Sequence, residues 1–141
     1  MMNNKMSIKF SSHSENEQFA RTAVASFIMY LDPTVEILTD VKTAVSEAVT
    51  NCIVHGYPDK KGTVSLDCEI INNVLHIKVS DNGVGIEDIN SVLAPFYTSK
   101  PIEERSGMGF TIMKTFMDSF EIISDINVGT TVIMTKAVKV A

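Results

Sequence analysis

Only two residues, Asn72-Asn73, separate the runs Thr63–Ile71 and Val74–Ser80. Both runs read as strands, and so short a connection can join them only as an antiparallel hairpin. The rest of the chain must be built around that pair. Met6-Ser7-Ile8-Lys9-Phe10-Ser11 alternates polar and apolar residues and reads as a first strand. Ser14, with Glu17 three residues on, has the form of a capping box before the run from Phe19 to Leu31, which Asp32-Pro33 ends. Thr34 then caps a second helix, in which Val35, Leu38, Val41, Val45, Ala48, Val49 and Cys52 recur at helical spacing until Gly56.

Residues 86–107 lack sustained periodicity and contain Pro95, Pro101 and Glu103-Glu104-Arg105, the pattern of a long loop with a lid at about 90–107. Met108 to Met117 reads as a third helix, followed by strands near Phe120–Ser124 and Thr130–Lys136. The expected fold is α+β: a two-layer sandwich in one domain, residues 1–141, with a mixed, mostly antiparallel sheet covered on one face by helices.

A chain of 141 residues with 45% apolar content and mean hydropathy +0.14 has enough material for one ordinary core, which excludes disorder. No apolar run approaches the ~18 residues of a membrane span, and Met1-Met2-Asn3-Asn4-Lys5 opens no signal peptide, so the chain is expected in the cytoplasm. Cys52 and Cys68 lie within apolar patterns without C-x-x-C spacing and read as buried thiols. Met108, Met113 and Met117 read as adaptable core filling. A formal net charge of −5 argues against direct nucleic-acid binding, which favours a basic stripe. An effect on transcription would therefore pass through another protein.

Three polar features interrupt the apolar patterns. Glu47, Asn51 and His55 recur every fourth residue, so a helix stacks them as one ridge beside Ala48 and Cys52. A solvated helix face has the same pattern. Asp81-x-Gly83-x-Gly85 directly follows a strand; its glycines permit positive φ and close backbone approach, and its aspartate can accept from an exocyclic amine such as that of adenine. Asp-Asn-Gly is equally a turn sequence. Gly107-Met108-Gly109 precedes the third helix, whose first N–H groups attract phosphate, with Arg105 placed to add charge. A lone G-x-G is common.

In this order and separation the three features resemble the N, G1 and G2 boxes of the GHKL superfamily of ATPases and kinases. The P-loop and the eukaryotic protein-kinase signatures are absent. Within the superfamily the sequence is similar to the small bacterial anti-sigma serine kinases, and most of all to their sporulation branch. Four segments carry that likeness: Ser46-Glu47-Ala48-Val49-Thr50-Asn51; Ser80-Asp81-Asn82-Gly83-Val84-Gly85-Ile86; Pro95-Phe96-Tyr97-Thr98-Ser99-Lys100-Pro101; and Arg105-Ser106-Gly107-Met108-Gly109-Phe110-Thr111-Ile112-Met113. The second glycine box departs from the histidine-kinase pattern, having two glycines and running on into Phe110. His13 precedes the first helix and no phosphoacceptor-histidine helix comes before the domain, which argues against a histidine autokinase.

The resemblance implies a GHKL-type ATP-binding fold, ATP or ADP with Mg²⁺ as cofactors, and a serine as phosphoryl acceptor. Asn51 would hold Mg²⁺ through its amide oxygen, and Glu47 would act as general base, a role worth ~10²–10⁴-fold. Asp81 would read the adenine amine, with Thr130 supporting it through a water, while Gly83 and Gly85 let base and ribose approach. Ser106, Gly107, Met108 and Gly109 would cradle phosphates beside Arg105, with Thr98, Ser99 and Lys100 on the lid. His55 is left between a phosphate contact and a cation at the helix end.

The implied partners are a sigma factor, which a homodimer holds inactive, and an anti-anti-sigma antagonist that displaces it and is phosphorylated on serine. Arg21, the only Lys or Arg between Lys9 and Lys42, is the candidate partner contact; its simpler reading is an i,i+4 pair with Glu17. A non-catalytic, nucleotide-gated binding module, an ATPase or histidine-kinase fragment and a general-stress member of the same family are the alternatives.

Overall fold

The computed structural model describes residues 3–89 and 109–138. At its centre β2 (Thr63–Ile71) and β3 (Val74–Asp81) pair antiparallel, with Asn72 and Asn73 at φ 51° and 65°. Two successive left-handed residues give the turn whose twist matches the strands, and asparagine tolerates that conformation better than most residues. β1 (Asn4–Ser11) flanks β2; β5 (Gly129–Ala137) flanks β3 and carries β4 (Ser119–Asp125) at the far edge. The order is β1-β2-β3-β5-β4, and every pairing is antiparallel. Among the described residues the sheet is thus antiparallel throughout and not mixed. The long crossover leaves β4 running in the direction of β3, but β5 lies between them and opposes both.

The helices α1 (Asn16–Ile28), α2 (Val35–Asn51) and α3 (Gly109–Phe116) lie on one face, with α2 between the other two. Val41, Ala44, Val45, Ala48 and Val49 form the buried stripe of α2 and share one core with Leu66, Ile70, Leu75 and Ile77 of the sheet. Each large apolar side chain so buried contributes about 1.5–3 kcal/mol. Met113 and Met117 belong to this core, as do the unpaired thiols of Cys52 and Cys68. Burial pushes the Cys68 thiol up to about 12, helped by the Asp67 charge, so it stays protonated.

The helix ends differ from one another. Thr34 Oγ1 accepts from Ile37 N at 3.1 Å, the cap expected for α2. The capping box expected at Ser14 does not form. The helix begins at Asn16, whose amide donates to Ser11 O at 2.8 Å, and Glu17 turns forward to pair with Arg21. α1 passes into a 3₁₀ turn at Met29–Leu31 and stops where Asp32 takes a left-handed φ of 54° before Pro33.

Candidate functional site

The site begins where α2 changes its winding. Cys52–Gly56 is a π-helical turn, closed by Tyr57 N donating to Cys52 O at 3.2 Å. Such turns are rare and concentrate at functional sites. His55 lies within this turn, past the α-helical winding that carries Glu47 and Asn51. The widened turn packs on the ends of β3 and β5, and Asn51 just before it is buried.

Asp81, the last residue of β3, lies opposite Thr130 of β5 and is only 4% exposed. Its Oδ1 accepts from Gly83 N at 2.9 Å and from Thr130 N at 3.3 Å. Its Oδ2 is buried without a hydrogen-bond partner among the described residues. Burial pushes the carboxyl above its ordinary range, while the Gly83 amide, the adjoining Cys52 thiol and the Thr130 amide pull it back. The Cys52 thiol is raised well above its usual value, by burial first and then by the neighbouring Asp81 charge. An acceptor held in this way suits a ligand N–H, because a buried acceptor left without a donor is costly.

Thr130 supports Asp81 directly through its backbone N–H. Its hydroxyl pairs instead with Ser124 Oγ at 2.7 Å, which also accepts from Ile86 N at 2.7 Å. Gly83 packs so closely on the end of the π turn that a Cβ there would overlap the Gly56 carbonyl, to which Val84 N donates at 2.9 Å. Gly85 sits at φ 77°, and Val84 O accepts from Asn127 N at 2.8 Å. Both glycines therefore serve first to join the turn to its neighbours.

Sequence reasoning missed Tyr57. This residue follows the helix-stopping glycine and is 8% exposed; its phenol donates to Thr63 O at 2.7 Å and accepts from Asn82 N at 2.8 Å. An aromatic with a polar tip just after a buried helix end was the available signal.

Glu47 lies one turn before Asn51, in a cleft of about 260 Å³ between α1 and α2 that Arg21, Thr39, Lys42, Thr43 and Ser46 also line. Arg21 reaches this cleft while pairing with Glu17 at 3.3 Å, so the simpler reading of that arginine is realised in the fold. Such a pair is worth ~0.2–0.5 kcal/mol. Gly109, buried, opens α3 as described, and α3 packs on α2. Thr98, Ser99, Lys100, Arg105, Ser106, Gly107 and Met108, with the lid expected at about 90–107, lie outside the described residues. Among the described residues, no cluster of three His, Cys, Asp or Glu side chains could hold a metal, and no helix is long and apolar enough to cross a membrane.

The geometry places a buried carboxylate, a buried amide and two glycine-dependent contacts at one end of the sheet. Comparison with known proteins supplies the context: the family described as the histidine kinase-like ATPase domain matches residues 10–136. The chain belongs to this family. This histidine kinase-like ATPase domain is 57% identical over 136 residues to a Clostridium kluyveri protein named anti-sigma F factor, covering 96% of both chains. A Clostridium novyi protein of the same name is 56% identical over 140 residues, covering 99% of this chain and 98% of its own. Among solved structures, the RsbU and RsbW domains of a Mycobacterium tuberculosis protein superpose with TM-score 0.67 at 15% identity, covering 94% of this chain and 31% of that one. The catalytic domain of the histidine kinase ThkA superposes with TM-score 0.59 at 14% identity, over 96% and 99% of the two chains. These structures share the fold.

Proposed function

We propose that this chain is an anti-sigma factor that holds a sporulation sigma factor, sigma-F, inactive and resets the switch as an ATP-dependent protein-serine kinase. The reading rests on the full-length likeness to proteins named anti-sigma F factor. The carrying geometric observation is Asp81 Oδ2, a buried acceptor left without a hydrogen-bond partner among the described residues, which a donor such as the adenine 6-amino group would satisfy. The residues present fit a nucleotide: Asp81 for the base, the Asn51 amide oxygen for Mg²⁺, and Gly109 with the glycine-rich segment before it for phosphate. A bound Mg²⁺ would be shared between the Asn51 amide oxygen and phosphate oxygens.

Bound Mg·ATP supplies the transferable phosphoryl group, and the protein's task is mainly positioning and charge neutralisation. Glu47 stands one turn from Asn51, where its carboxylate can take the proton from an incoming serine hydroxyl. The acceptor serine belongs to the anti-anti-sigma antagonist. The cleft shared by Glu47, Arg21 and Lys42 offers two cations to an acidic partner segment beside that base. The working form is a homodimer in the cytoplasm, and the acidic chain regulates transcription without touching DNA.

The test is incubation with Mg·ATP and the candidate antagonist, followed by intact mass of every chain. The antagonist should gain one phosphate on serine. Glu47→Ala should keep nucleotide and partner binding and lose that gain, while Arg21→Glu should weaken both partners. No gain on any chain despite ATP binding would make this a nucleotide-gated binding module, and unchanged partner affinity in Arg21→Glu would remove that contact.

A further inference from the structure

We propose that Tyr57 is a positioning residue for base recognition: its phenol fixes the Asp81-Asn82-Gly83 turn so that Asp81 Oδ2 stays the unpartnered acceptor for a 6-amino purine. This rests on the reading that Asp81 meets the base. The phenol bridges two backbone groups that no ladder joins, donating to Thr63 O at the start of β2 and accepting from Asn82 N just after β3. Its ring is wedged against Gly62, where any added Cβ would collide with it. Its own N–H closes the π turn onto Cys52 O. Tyr57 thus holds both walls around the carboxylate.

One wall is Gly56, so close to Asp81 that a Cβ there would stand 2.6 Å from Oδ2. The other is the turn itself, in which Gly83 N donates to Oδ1 at 2.9 Å. That donation fixes the rotation of the carboxylate and decides which oxygen is left over. Loss of the phenol oxygen strips Asn82 N–H and Thr63 C=O of their partner, and the turn that aims Asp81 loses its brace. The residues proposed for phosphate are others, so the defect should fall on the base and not on the nucleotide as a whole.

The experiment compares affinities for Mg·ATP and Mg·ITP by calorimetry in wild type, Tyr57→Phe, Gly62→Ala and Asp81→Asn. Inosine replaces the 6-amino donor with a carbonyl acceptor and leaves the phosphates alone. Tyr57→Phe should weaken ATP about five- to tenfold and ITP by less than about twofold, lowering the ATP preference. Gly62→Ala displaces the ring with the hydroxyl intact, should act in the same direction, and decides the matter if Tyr57→Phe does not fold. Equal loss for both nucleotides, or an unchanged preference in the folded variants, overturns the role of Tyr57. Asp81→Asn should abolish the preference. If it does while the other variants keep theirs, only the Tyr57 proposal falls; if Asp81→Asn keeps it, the assignment of Asp81 falls and takes the proposal with it.

Discussion

Asp81 illustrates at the scale of one residue how a site can work against the stability of its own fold. Burial raises its carboxyl above the ordinary value of 3.8, and the backbone donors serve only one of its two oxygens. For an acid whose native value is raised, the unfolded chain releases its proton first as pH rises. Stability therefore falls between 3.8 and the native value, and above both the whole cost persists. Asp81→Asn keeps an acceptor for Gly83 and Thr130 while removing the buried charge. Its urea midpoint should exceed that of wild type at pH 7, by a margin that shrinks as pH falls toward 3.8. A margin independent of pH would mean that the charge costs the fold nothing. The same change should abolish the preference for adenine, so stability and function would move in opposite directions.

At the scale of elements, local chemistry decides how much the sequence reveals. The Thr34 cap needs one hydroxyl and one amide three residues on, and both lie within the same turn. Thr34→Ala should lower unfolding stability by about 1 kcal/mol, read from denaturant midpoints at unchanged m-value. No change would mean that solvent satisfies Ile37 N–H equally well. The Asn72-Asn73 hairpin, the apolar stripe of α2 and the bounds of β2 were legible for the same reason, since each is a pattern within one window. Ser14 and Glu17 show how such a pattern can mislead: Asn16 reaches back to Ser11, and Glu17 finds Arg21 a turn ahead.

The π turn was not legible, because side-chain spacing over a single turn does not distinguish two windings. Asp81 and Asn51 could be named from the sequence, but the unpartnered Oδ2, the Tyr57 bridge and the cleft joining Glu47 to Arg21 depend on which elements meet. Those meetings are tertiary. The sequence supplied the candidate groups, and packing determined which of them share a wall.

For the whole molecule, helices on one face leave a sheet with two outer strands, β1 and β4, each with one side unpaired among the described residues. An unpaired strand edge invites a second copy, and a two-fold dimer through β1 would continue the sheet without exposing a new edge at the join. Light scattering at micromolar protein should then give twice the 15.5 kDa chain mass. Charge identifies which edge is used. Lys5 and Lys9 project from the exposed side of β1, and an antiparallel pair of β1 strands centred near Ser7 brings Lys5 of each copy opposite Lys9 of the other. Lys9→Glu turns two repulsions into two attractions, each pair worth about 0.2–1 kcal/mol, and should tighten the dimer several-fold at low salt, less so at high salt. A dimer joined through β4 would be indifferent to this change on the opposite edge. A monomeric mass in both proteins would leave β1 as a plain sheet margin.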